Sequence, residues 1–267
     1  MSTTPVLRPL GVGEILDTAL AVYRQHAPAL WKIVAVVLAL PAALSGVIAV
    51  AQHQLENSSN SNNATLLLLT LIAELVSLLA TFLATAAAYR LVADAYMGRP
   101  VDPAASLRFG VRRFGSVLWV SFLAFLGIFV AFFAFIVPAI YLAVAWSVAV
   151  PVLLGENLRG RRALGRSRAL VRGRWWACCG VLVLAVVLAA IVALAFGLVI
   201  DAIVGSSNSD PLIFFSSAIS TLITDSLVLP FQVAVTTVLY IDLRVRKEGF
   251  DVQLLTHSLD AGGPGEE

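Results

Sequence analysis

The stretch GSVLWVSFLAFLGIFVAFFAFIVPAIYLAVAWSVAVPVLL, residues 115–154, determines how many times the chain crosses a membrane. Its forty residues include no charged side chain. A helix needs roughly 20 apolar residues to span a bilayer, so this stretch is too long for one span and long enough for two with a minimal turn. Proline disfavours helix in the residue before it, which places the predicted break at 136–138.

The composition of the whole chain also favours a membrane protein. Of 267 residues, 60% are apolar and 13% are charged, against about 25% charged in soluble domains. The predicted fold is all-α, with six transmembrane helices in one domain, residues 1–255, and a disordered tail, residues 256–267. The predicted spans are about 29–51, 64–88, 115–136, 138–154, 177–204 and 211–241.

The basic residues give the chain a predicted orientation. All 18 lysines and arginines lie at the N-terminal side of span one, where Lys32 is within its first turn, between spans two and three, between spans four and five, or after span six. An excess of lysine and arginine marks the cytoplasmic side, so both termini are predicted to be cytoplasmic. Arginine outnumbers lysine sixteen to two, which is typical of a GC-rich bacterial genome and indicates a bacterial plasma membrane.

The segment LRGRRALGRSRALVRGRWW, residues 158–176, has seven arginines and no acidic residue. Helical periodicity predicts an amphipathic interfacial helix whose arginines reach anionic head groups. Alternatively, these charges only set the topology. The segment shows no nucleic-acid-binding fold. Its apolar arc would contain Ala163, Leu164, Ser167, Leu170 and Val171, and the candidate head-group and interface residues are Arg161, Arg162, Arg166, Arg168, Arg172, Trp175 and Trp176.

Two similar segments precede spans one and three, which predicts three cytoplasmic elbow helices, each leading into a transmembrane hairpin. The elbow helix before span one would cover residues 13–26, and the one before span three would cover residues 102–115. Each would bury the side chains on one of its faces. The two predicted faces consist of Ile15, Leu16, Ala19, Leu20 and Tyr23, and of Ala104, Leu107, Val111 and Phe114.

The C-terminal motif YIDLRVRKEGFD places opposite charges four residues apart on a helix. The candidate motif residues are Tyr240, Asp242, Arg244, Arg246, Glu248 and Asp251. The predicted pairs are Asp242 with Arg246, Arg244 with Glu248, and Lys247 with Asp251. Such a ladder can end span six at the membrane surface or form a docking surface for a cytoplasmic partner.

Four segments in the same order carry a resemblance to a bacterial family: RPLGVGEILDTALAVYR, AIYLAVAWSVAVPVLLGEN, ALGRSRALVRGRWW and YIDLRVRKEGFDVQLL. The chain resembles the integral membrane domain attached to some glycerophosphoryl diester phosphodiesterases and related stand-alone actinobacterial proteins. The resemblance implies a helical membrane domain of about this size. The catalytic barrel of that family has no counterpart here, so no catalytic residue is implied.

The search for enzyme chemistry gives no catalytic motif and no cofactor or metal site. The three histidines are predicted on both sides of the membrane. Glu74 and Asp225 are acids near the middle of spans two and six, without a basic neighbour. A carboxylate at that depth costs roughly 2.5–3.5 kcal/mol. They are predicted either to share a polar cavity that opens outward or to hold helices together as protonated acids.

The leading functional interpretation is a non-enzymatic membrane scaffold or accessory component, with anionic lipid head groups as its predicted partners. Two alternatives stay open. One is a transporter or permease-like protein that uses the acidic site. The other is the membrane subunit of a glycerophosphodiester-metabolising system. A transporter should contain a polar cavity and broken helices, whereas a scaffold should have a closed core.

Overall fold

A computed structural model describes residues 9–56, 63–204 and 209–249. Within these ranges the chain forms helices and no strand. Six segments, α1, α2, α3, the α4–α5 pair, α7 and α8, are long and apolar enough to cross a membrane. The protein is an all-α, multi-pass membrane protein, as predicted. The helices are α1 Val12–Glu56, α2 Asn63–Tyr96, α3 Pro103–Ala134, α4 Ile136–Ala145, α5 Ala149–Glu156, α6 Arg161–Val171, α7 Trp175–Val204 and α8 Asp210–Glu248. The predicted tail, residues 256–267, lies outside the described residues.

Only one of the three predicted elbow helices is a separate helix, namely α6. The other two are continuous with the spans that follow them, in α1 and α3. At 1.5 Å per residue, the 45 residues of α1 extend about 68 Å, far beyond a hydrocarbon core of about 30 Å. Pro28 in α1 and Gly115 in α3 lie where the amphipathic part of each helix meets its apolar part, yet neither residue ends its helix.

The predicted break at 136–138 is wrong in position. The chain turns at Phe135, the single extended residue between α3 and α4 (φ −165°, ψ 149°). Pro138 instead lies in the first turn of α4, where its missing N–H costs no helical hydrogen bond. Span four has its own interruption, a turn over 146–148 between α4 and α5, which the sequence reading did not predict.

The buried core lies mainly where α1, α2, α5, α7 and α8 meet. Leu30 of α1, Leu91 of α2 and Leu239 of α8 belong to one continuous buried cluster. Large exposed apolar side chains occur along α2, α3 and α7, such as Leu68, Phe133 and Leu194. In a membrane these side chains face hydrocarbon, so the helix bundle has an apolar periphery as well as an apolar core.

The buried face of α3 differs from the predicted one. Ala104 and Val111 are exposed, whereas the buried residues are Ser106, Gly110, Val117 and Val120. A Cβ added at Gly110 would lie 3.0 Å from the backbone nitrogen of Ala87 on α2. Small residues let two membrane helices approach closely, and this approach determines which face is buried. The buried face predicted for residues 13–26, now part of α1, agrees better with the structure. Ile15, Leu16 and Ala19 are buried there, although Leu20 is exposed.

The two ends of the bundle differ in charge. One end holds the arginines of α2, α3, α6 and α8, and we call it the basic end. At the opposite end, Gln54 donates a 2.8 Å hydrogen bond to Asp210, and the described residues there include no lysine or arginine. The basic residues of the described chain therefore gather on one side, as the predicted topology requires.

Candidate functional site

A cavity of about 360 Å³ lies between α2, α5 and α8. It extends from the middle of α8 toward the basic end, over three turns of that helix. Its depth places it inside the apolar part of the bundle, yet many of its lining residues are polar. They are Thr81, Thr85, Tyr89, Ser147, Asp225, Gln232 and Thr236, with Val150, Pro151, Val228, Leu229 and Val233.

Of the described residues that line this cavity, Asp225 alone is charged. Its side chain is half-buried. Among the described residues it has no hydrogen bond or ion pair. A carboxyl group in an apolar environment needs a compensating partner. Water or a solute in the cavity can supply that partner, because the volume exceeds that of several water molecules.

Three hydroxyl groups that line the cavity present acceptors to it. Thr81 donates to the carbonyl of Ser77 at 2.9 Å, Ser147 to that of Val144 at 2.9 Å, and Thr236 to that of Gln232 at 3.0 Å. A hydroxyl has one donor and two acceptor lone pairs. Once the donor is engaged by the backbone, only acceptor capacity is left for a ligand.

The interruption of span four adds a further acceptor. Pro151 has no N–H, so the carbonyl of Ser147, four residues earlier, loses its helical partner. The carbonyl of Ala145, just before the turn, accepts a 2.8 Å hydrogen bond from Ser167 of α6. Trp146, at the end of α4, packs so closely on Gly127 that an added Cβ would lie 2.6 Å from its ring. These contacts fix a helix break at the cavity wall.

A group of four charged residues closes the bundle at the basic end. We call Glu156, Arg166, Arg244 and Glu248 the basic-end cluster. Arg166 donates to Glu156 at 2.8 Å and also binds Glu248. Arg244 lies 3.1 Å from Glu248 and 3.7 Å from Glu156. Two arginines thus alternate with two glutamates, which neutralises the cluster and joins α5, α6 and α8.

Two tyrosines lie between the basic-end cluster and the cavity. Tyr240 donates to Glu156 at 3.2 Å, and Tyr89 lines the cavity. Both are buried and both converge on Gly155, where an added Cβ would lie 2.7 Å from one hydroxyl and 2.9 Å from the other. Gly155 therefore permits the close approach that seals the cavity from the cluster.

The C-terminal motif forms two of its predicted pairs. Arg246 binds Asp242 at 2.9 Å and Arg244 binds Glu248; Asp251 lies outside the described residues. Both acids also make tertiary contacts. Glu248 binds Arg166 of α6, and Asp242 accepts a 2.7 Å hydrogen bond from the backbone N–H of Leu10. Lys247 donates to the carbonyls of Ala169 and Arg172 at the end of α6. The motif ties α6 and the start of the chain to α8, and Asp242 is only 4% exposed.

The apolar arc predicted for the arginine segment is confirmed, since its five residues are the buried residues of α6. The arc packs against the protein core, and the position of α6 at the membrane interface stays a prediction. Arg166 turns inward to the basic-end cluster. Burial acts to lower the pKa of Arg166, but its hydrogen bonds to Glu156 and Glu248 outweigh burial and raise that pKa above its usual value. The other four candidates, Arg161, Arg162, Arg168 and Arg172, are exposed.

The two tryptophans after α6 have different surroundings. Trp175 donates a 3.2 Å hydrogen bond to the carbonyl of Tyr141 and stacks on its ring. Arg168 lies over the same ring, 5.7 Å from its centroid. Trp176 is 81% exposed at the end of the apolar part of α7. That position matches a membrane-interface aromatic residue.

The structure does not place Glu74 with Asp225. Glu74 is exposed and does not line the cavity. It precedes Thr81 by seven residues, so it lies two helical turns farther from the basic end. The sequence analysis did not predict that Thr85, Ser147, Gln232 and Thr236 line the cavity. One usable signal was the spacing of seven residues between Asp225 and Gln232, which puts both on one face of α8.

Comparison with known proteins places the chain in a family context. A family model described as a domain of unknown function, DUF8558, matches residues 112–261, which is 150 of 267 residues. The matched part contains Asp225 and the whole basic-end cluster. No curated protein and no solved structure matches the chain. The resemblance to the phosphodiesterase membrane domain has no support from these comparisons and stays a prediction.

Proposed function

The chain belongs to the DUF8558 family, and we propose that this member is a transporter-like membrane protein that takes a cationic or hydrogen-bond-donating solute at Asp225. The observation that carries the proposal is an unpaired, half-buried carboxyl group inside a cavity whose neighbouring hydroxyls offer acceptors. A ligand that supplies positive charge satisfies the carboxyl group of Asp225, and N–H donors on the ligand can bond the hydroxyl acceptors in the cavity. The proposed role is non-enzymatic, because it involves no covalent chemistry.

The shape of the site supports the same proposal. Small-molecule pockets measure about 300–1,000 Å³, and this cavity falls in that range. Transporter sites lie near the bilayer midplane and use interrupted helices whose freed backbone carbonyls bind cations. Here the α4–α5 turn frees the carbonyl of Ser147 next to the cavity. Of the two predicted signs of a transporter, a polar cavity and a broken helix, both are present.

We further propose that the basic end faces the cytoplasm of a bacterial cell, because positively charged segments are retained there. In that orientation the basic-end cluster closes the cytoplasmic side of the cavity. Release of a solute to the cytoplasm would then require α5 or α6 to separate from α8. The four exposed arginines of α6 would face anionic head groups or the cytoplasm.

The proposal is tested with the full-length protein reconstituted in liposomes. Uptake of Na⁺, K⁺ and radiolabelled methylammonium is compared with that of protein-free liposomes. We expect uptake of at least one cation, its loss in Asp225→Asn, and its retention in Glu74→Gln, a matched removal of an exposed intramembrane acid. Binding at 100 times the dissociation constant should also stabilise the wild type by about 2.7 kcal/mol. Uptake that is absent, or unchanged in Asp225→Asn, would contradict the proposal.

A membrane scaffold or accessory subunit is the second candidate. It is favoured by the basic-end cluster, which joins α5, α6 and α8 into a fixed platform with arginines on its surface. Its partner would then be another subunit, such as one of a glycerophosphodiester-metabolising system. The liposome experiment separates the two candidates, since a scaffold requires neither cation uptake nor the carboxylate of Asp225.

A further inference from the structure

A second pocket lies at the basic end, between α2 and α3, away from Asp225. Its volume is about 330 Å³. It is lined by three arginines, one from α2 and two from α3, around the ring of Phe109. The lining residues are Arg90, Ala105, Arg108, Phe109 and Arg112.

The charges of this pocket are not balanced within the protein. Arg90 binds Asp94 at 2.6 Å and lies over Phe109, 5.5 Å from the ring centroid. Arg108 and Arg112 are exposed, and among the described residues they have no hydrogen bond or ion pair. They are four residues apart on one helix, where like charges repel. An anion between the arginines would remove that repulsion.

Apolar surface continues from this pocket along the same face of α3, toward the membrane interior. Trp119 follows Arg112 by seven residues, which is two turns on the same face. Phe122 follows Arg108 by fourteen residues, which is four turns along that face. Both side chains are more than half exposed, and their rings stack on each other.

We infer that the α2–α3 seam binds an anionic phospholipid of the leaflet at the basic end. The phosphate group lies among Arg90, Arg108 and Arg112, and one acyl chain lies along the exposed rings of Trp119 and Phe122. Three arginines and one aspartate leave a net charge of +2, which selects an anionic head group over a zwitterionic one. Basic pockets between transmembrane helices bind lipid phosphates in this way. The inference does not depend on a solute at Asp225.

The test uses full-length protein in a zwitterionic detergent, with native mass spectrometry to count bound lipids. The probes are phosphatidylglycerol, phosphatidylcholine with the same acyl chains, and glycerol 3-phosphate, which has no chain. We expect saturable binding of one phosphatidylglycerol, with weaker binding of the other two. In Arg108→Gln/Arg112→Gln the affinity for phosphatidylglycerol should fall about tenfold or more, given the contribution of each basic residue near an anionic lipid.

Two further variants make the result specific. Arg161→Gln/Arg162→Gln removes the same charge from exposed arginines of α6 and should change the affinity by less than about twofold, because neither arginine lines the pocket. Phe122→Asn puts an amide on the apolar surface beside the pocket at an exposed position, so the fold is retained and lipid affinity falls. An equal loss in both arginine pairs would overturn the inference, as would equal affinity for phosphatidylcholine. Equally tight binding of glycerol 3-phosphate would show that no acyl chain is bound.

Discussion

Replacement of Arg166 by glutamine tests whether this residue holds the bundle together or faces lipid. Its side chain is 29% exposed and makes charged contacts with both Glu156 and Glu248. A hydrogen bond to a charged group contributes about 1.5–3 kcal/mol. Arg244 stays near both glutamates in the variant, and partial exposure screens the charges, so the expected loss of unfolding free energy is about 2 kcal/mol.

The assay is thermal unfolding in detergent, followed by tryptophan fluorescence. A loss of about 2 kcal/mol corresponds to a fall in Tm of roughly 4–8 °C for a chain of this size. Arg161→Gln is the matched control, since this arginine lies on the same helix and is exposed. Its Tm should change by less than about 2 °C, because surface substitutions change stability by at most about 0.5 kcal/mol.

A double-mutant cycle with Glu156→Gln measures the pair directly. Neighbours in one ion-pair network have coupling energies of about 0.5–3 kcal/mol, so the double variant should lose less stability than the two single variants together. The reasoning is refuted if the losses simply add. It is also refuted if Arg166→Gln and Arg161→Gln lower the Tm equally, because Arg166 would then contribute no more to stability than an exposed arginine.

Two predictions concern packing and topology. Gly155→Ala places a methyl group within 3 Å of the hydroxyls of Tyr89 and Tyr240, so stability should fall by about 1–3 kcal/mol in the same melting assay; an unchanged Tm would mean that the tyrosines move aside freely. In a background without native cysteines, a cysteine at Gln52 should react with a membrane-impermeant thiol reagent in intact cells, and a cysteine at Arg161 only after lysis. Both positions are exposed, and labelling of residue 161 in intact cells would reverse the proposed orientation.

Ser106 and Ser167 illustrate why topology probes need the tertiary structure. Both lie on segments predicted to face the cytoplasm, where an inserted cysteine would be expected to be accessible after lysis. Both are buried, at 2% and 0% exposure, and Ser167 donates to the carbonyl of Ala145. A cysteine at either position would be protected by packing on any side of the membrane. Labelling there would report burial and not sidedness.

The sequence by itself determined the local features of this protein. Apolar length predicted the six membrane-crossing segments, because each span must cover the same hydrocarbon thickness. Helical periodicity predicted the buried arc of α6 and the pairs Asp242–Arg246 and Arg244–Glu248, because residues four apart are neighbours on any helix. These features depend on geometry within one helix, which a short window of sequence contains.

Only the tertiary structure decided what each face contacts. An apolar arc packs equally well on lipid or on protein, so periodicity did not show that α6 is covered by the core. Nor did it show that Glu74 is exposed while Asp225 lines a cavity. Arg166 meets Glu248 across 82 residues of sequence, and Ser106 and Gly110 are buried because α2 approaches α3 closely. These contacts join helices that are distant in sequence, and their identity depends on how the helices pack against one another.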